Sequence, residues 1–156
     1  MKVVLNVLIS GFIFAQSASA ASVIAKVSST GGFNPNPYYS SQVIILDNGS
    51  VIWVRQEGTP QYKKQVLATL SQTRTAALVK EINQITPAEL IDENLGAPQC
   101  MDAPVTSYMV VNSQNNSEIQ IGKDYNCHKF SLKNGDGSLV VDILDGLRKL
   151  SYLGVN

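Results

Sequence analysis

The chain has 156 residues, with 12 basic against 12 acidic side chains and a single histidine, so its net field at pH 7 is close to zero. Its longest basic run is the pair Lys63 and Lys64, too short to track a phosphate backbone, and no nucleic-acid partner is expected. The length suits one domain with a real core and falls short of two ordinary ones.

The N-terminus reads as a secretory signal peptide over residues 1–20. Lys2 supplies the charged start, Val3 to Ala15 the apolar run, and Ala18-Ser19-Ala20 the small residues before a cleavage point after Ala20. Gly11 and Gln16 leave the apolar run short of the roughly 20 residues that span a bilayer. A secreted or periplasmic product is expected, with no transmembrane segment after cleavage. No cysteine follows the small residues to carry a lipid anchor.

Residues 21–37 hold a short alternating run, Ser22 to Val27, and then a Gly-, Pro- and Asn-rich stretch, and read as a flexible N-terminal segment. A single domain is expected over residues 38–156. Two β-rich runs flank Asp47-Asn48-Gly49, a turn whose Asn-Gly pair tolerates the positive φ of a tight hairpin. Lys64 to Leu70 is expected to add a third strand. Ser71 then caps an amphipathic helix over Gln72 to Ile85, with Leu78, Ile82 and Ile85 at helical spacing. Thr86, Pro87 and Glu89 form a capping-box pattern that predicts a short second helix.

Past Cys100, Val105 to Ser113 and Glu118 to Asp124 read as a second hairpin around a polar turn. A last helix starts at Ser138 and carries Val140, Ile143, Leu144, Leu147 and Leu150. A shift of 67 residues lays turn on turn and cap on cap, which suggests two hairpin-helix halves, 38–86 and 105–152. The fold class that follows is α+β: a mostly antiparallel sheet built from two hairpins, with amphipathic helices packed on one face.

Cys100 and Cys127 bracket the second hairpin, and in an oxidising compartment two such thiols are expected to form a disulfide. The closed loop of about 26 residues stabilises by about 3 kcal/mol on the chain-entropy account. Three sharper readings compete. Cys100 as nucleophile with His128 as base and Asp102 as orienter would make a small secreted hydrolase. Cys100, Asp102, Cys127 and His128 could ligate zinc, although no paired metal-ligand spacing supports it. Asn134, Asp136, Ser138, Asp142 and Asp145 fall at calcium-loop positions, but Leu139 stands where that loop needs glycine, so a Gly-rich turn leading into a capped helix is preferred.

Asn48-Gly49-Ser50 and Asn115-Asn116-Ser117 match the glycosylation pattern but also suit hairpin turns. No catalytic, cofactor or metal residues are assigned. The expected function is a non-catalytic protein-binding or accessory domain that meets a protein or cell-envelope component, with Phe33, Tyr38, Tyr39 and Trp53 as candidate contact aromatics. A structural envelope protein is a further alternative. The layout of two hairpin-plus-helix units with a disulfide resembles that of some secreted inhibitors of bacterial enzymes. The resemblance implies an inhibitory role and assigns no residue.

Overall fold

The computed structural model describes residues 20–31, 39–57, 62–96, 98, 104–125 and 127–153. Of the expected signal peptide, 1–20, residues 1–19 lie outside them. The strands are β1 (Val23–Thr30), β2 (Tyr39–Leu46), β3 (Ser50–Glu57), β4 (Tyr62–Thr69), β5 (Leu90–Asp92), β6 (Val105–Asn112), β7 (Ser117–Asp124) and β8 (Lys129–Leu132). The helices are α1 (Gln72–Gln84) and α2 (Ser138–Leu153). One antiparallel sheet runs in the order β4-β3-β2-β1-β6-β7-β8-β5, and both helices pack against it.

Local chemistry accounts for the first hairpin and α1. Gly49 turns the chain at φ +84°, and its amide donates to the Leu46 carbonyl at 2.9 Å. The Ser71 hydroxyl accepts from the Arg74 amide at 3.3 Å, so the expected cap starts the helix. Thr75, Leu78 and Ile82 then form its buried stripe. At its other end the Asn83 side chain donates to the Ser113 hydroxyl and accepts from the Ser113 amide, both at 3.0 Å, which pins α1 to the turn between β6 and β7.

Two expectations fail for non-local reasons. The segment 21–37, read as flexible, contains β1, the strand at the centre of the sheet, which pairs with β2 on one side and β6 on the other. Residues 32–38 of that segment lie outside the described residues. The short helix from Thr86 is absent. Leu90–Asp92 forms β5 beside β8, and the Glu89 carbonyl accepts from the Lys133 amide at 2.9 Å. The Thr86 amide donates to Asp136 Oδ2 and its carbonyl accepts from Asn134, so the groups that would have begun a helix are held by the loop before α2.

Pairing register decides which face each side chain takes. Val51, Ile45, Ala25, Val110 and Ile119 form one row across the helix-covered face, and Trp53, Val43, Val27, Tyr108 and Gly122 form the next. Val43 and Ile45 thus share a face with Val51 and Trp53, while Ile52 and Val54 point the other way. A third row is polar: Ser41, Ser29 and Thr106 lie side by side, with Ser29 and Thr106 hydroxyls 3.1 Å apart. A register shift in β7 brings both Ile121 and Gly122 into the core. A methyl on Gly122 would sit 3.4 Å from Val141 and 3.3 Å from the Tyr108 ring, so the missing side chain lets α2 pack closely on β7 here.

The 67-residue spacing recurs in the elements, since β3 at 50–57 maps onto β7 at 117–124. The halves differ in hand, however. β2 and β6 both run antiparallel to β1 and so point the same way, yet β3 flanks β2 on one side and β7 flanks β6 on the other. A rotation that superposed these hairpins would carry their helices to opposite faces, whereas α1 and α2 bury their stripes in one shared core.

Candidate functional site

Two places concentrate chemistry. The first lies at the β5–β8 edge. His128 Nδ1 is 2.6 Å from Asp92 Oδ2, and its Nε2 is 3.3 Å from the Pro98 carbonyl oxygen. Asp92 Oδ1 accepts from the Asn94 amide at 2.8 Å. That amide, and after it the His128 ring, holds the Asp92 carboxyl below the usual carboxylate range. An Asp–His pair is the rear part of a nucleophile triad. Here the front nitrogen faces a carbonyl oxygen, which carries no proton to remove, so among the described residues the imidazole ties two chain segments together and is aimed at no nucleophile. Asp92 lies 36 residues from His128 and belongs to no motif with it, which is why sequence reasoning paired the histidine with Asp102.

Cys127 is partly buried beside this pair, and no cysteine among the described residues is free. Cys100 and Asp102 lie outside the described residues. No group of three His, Cys, Asp or Glu side chains is placed to hold a metal among the described residues. The residues at calcium-loop positions are dispersed in their contacts: Asp136 Oδ2 accepts from the Thr86 amide at 3.0 Å and from Asn134 Nδ2 at 3.1 Å, whereas Asp145 faces Tyr108, Arg148 and Lys149.

Of the candidate contact aromatics, Phe33, Tyr38 and the Tyr39 side chain lie outside the described residues. Trp53 is corrected. It is 3 % exposed on the covered face opposite Val43, because the register of β2 with β3 turns it inward.

The second place is a groove of about 450 Å³ between the helices, missed in the sequence because it needs both at once. Leu70, Ala77 and Leu78 form its α1 side and Leu139 and Ile143 its α2 side, with Arg74 and Glu81 as the charged members. Its lining is predominantly apolar, and Leu139 is 56 % exposed within it.

No protein-family model, characterised protein or solved structure compared with this chain matches it.

The groove follows from how the helices are anchored. α1 is fixed at the turn end of the sheet by Asn83 and Ser113. The start of α2 is held near the end of α1, where a side chain on Gly137 would meet Ile85 and Ile121 at 3.2–3.3 Å. Farther along, α2 is tied to β6 by Tyr108 and Asp145. Both helices are held by the sheet, and the space between them is lined mainly by apolar side chains. Among the described residues no helix is long and apolar enough to cross a membrane.

Proposed function

We propose that this protein is an exported, non-catalytic protein-binding domain that receives an amphipathic helical segment in the groove between α1 and α2. The observation that carries the reading is the apolar lining of that groove, continued by exposed leucines on α2. The polar side chains that could have served catalysis face other protein groups instead, as His128 and Asp145 do. A Cys100–Cys127 disulfide is the proposed staple of the second hairpin. Support comes from both flanks of Cys100: the Pro98 carbonyl lies against His128, and Thr106 pairs with Asp124, residues that stand on either side of Cys127 in the chain. An inhibitory role fits the same groove if the helical segment belongs to an enzyme.

The reading is tested by placing a photo-crosslinking side chain at Ala77 in the full chain, in the producing cell, with Asn115 on the distant β6–β7 turn as control. A discrete polypeptide adduct from position 77 alone, lost on Glu81→Arg, whose longer side chain occupies the groove, is the expected result. Equal labelling at both positions, or none at 77, would overturn it.

A further inference from the structure

Helix α2 carries two apolar stripes, and the core uses one. Val140, Val141 and Leu144 are buried. The other stripe, Leu139, Ile143, Gly146, Leu150 and Leu153, advances by four, three, four and three residues, the alternation of a coiled-coil seam, and only its half-buried Ile143 also packs against the core. Leu139, Leu150 and Leu153 are 56 %, 58 % and 75 % exposed, and a side chain at Gly146 would meet open space. A seam this long on a surface helix lacks a covering helix within the described chain.

Charge selects the occupant. Beside the seam, at the position preceding Ile143 and again one heptad later, stand Asp142 and Lys149, both exposed, with Lys149 also meeting Asp145 of its own helix at 2.7 Å. In a parallel pair of such helices these flanking positions would meet Leu147 and the segment after Leu153. In an antiparallel pair they meet each other, acid against base, twice over. The same antiparallel alignment sets Leu139 against Leu150 and Ile143 against Gly146, where the missing side chain lets the two backbones approach. It also points Leu150 of one copy at the groove between α1 and α2 of the other.

Resting on the protein-binding reading above, we infer that the seam is an isologous interface: two copies of this chain pair through antiparallel α2 helices, each filling the other's groove. The test is sedimentation equilibrium of the purified full chain over a concentration series. A mass twice that of the chain is expected, reduced to the single-chain mass by Leu150→Glu, with an unchanged unfolding midpoint at low concentration because Leu150 is already exposed. Asp142→Lys alone should weaken association about tenfold through like charges brought together, and adding Lys149→Glu should restore it, with Lys149→Glu alone followed by unfolding to separate its loss of the Asp145 pair from its effect on association. A wild-type chain that stays monomeric to about 1 mM, or a dimer indifferent to Leu150→Glu and to the charge exchange, would overturn the inference. If the monomer nonetheless gives a groove-specific adduct with a different polypeptide at position 77, the protein-binding reading stands and the self-pairing falls.

Discussion

Tyr108 on β6 and Asp145 on α2 are joined by a hydrogen bond of 3.2 Å from the phenol to Oδ1. The same carboxylate accepts from Arg148 at 2.6 Å and meets Lys149 at 2.7 Å, so one acid fastens the second half of α2 to the central part of the sheet. Ser151, which is 1 % exposed, extends the junction by donating to the Arg148 carbonyl at 2.6 Å.

Tyr108→Phe keeps the ring and removes the bond. Burial, followed by the charge of Asp145, pushes the phenol above its ordinary value near 10. A raised folded-state pKa gives stability that is present below pH 10 and lost as the pH climbs past it. The variant should lose about 1 kcal/mol at pH 7. It should also show a flatter fall in stability between pH 9 and 11, read by urea unfolding across that range.

Asp145→Asn addresses the acid side. Burial alone would push this carboxyl up, but the hydrogen bonds from Lys149 and Arg148 outweigh it and hold the carboxyl below its usual range. A depressed folded-state pKa gives stability that is present above about pH 4 and lost as the pH falls through the folded value. The substitution should cost about 2 kcal/mol at neutral pH, since Arg148 keeps its partly buried position without the opposing charge. The difference from wild type should shrink as the pH falls from about 5 towards 2, measured by thermal unfolding.

Gly49→Ala tests the junction of turn and helix. A methyl there would lie 2.6 Å from the Leu70 carbonyl oxygen and 2.9 Å from the Thr75 hydroxyl, at a φ of +84° that alanine resists. Because Leu70 donates its amide to the Gly49 carbonyl at 2.8 Å, the backbone has little room to retreat. A loss of at least about 2 kcal/mol is expected by chemical denaturation, larger than that for Gly135→Ala, where a Cβ meets nothing within 4 Å.

The proposed staple has a mass signature. The unreduced protein should be two hydrogens lighter than the reduced chain and resist alkylation, and reduction should lower its stability by about 3 kcal/mol. Quantitative alkylation of both thiols without reductant would remove the staple and return the hydrolase and metal readings.

Features encoded within a few residues could be read from the sequence. The turn at Asn48-Gly49, the Ser71 cap and the helix from Ser138 were visible because glycine, a hydroxyl and an apolar period act locally. Strand partnership was not. Thr86, Pro87 and Glu89 are a sound helix start taken alone, but hydrogen bonds to residues about 50 positions away hold the same segment extended. Trp53 was ambiguous because its face depends on which residue of β2 it opposes. The outer stripe of α2 was present in the spacing of Leu139, Ile143, Leu150 and Leu153, but separating it from the buried stripe required knowing which side the sheet occupies.

The place of β1 has a consequence for how the molecule comes into being. Val27 must meet Val43 on one flank and Tyr108 on the other, the latter 81 positions downstream. During synthesis the leading hairpin can close early, but the joint between the two halves waits until most of the polypeptide is present. Assembly should therefore be late and cooperative, and a chain halted before Tyr108 would leave an open strand edge for chaperones or aggregation to claim.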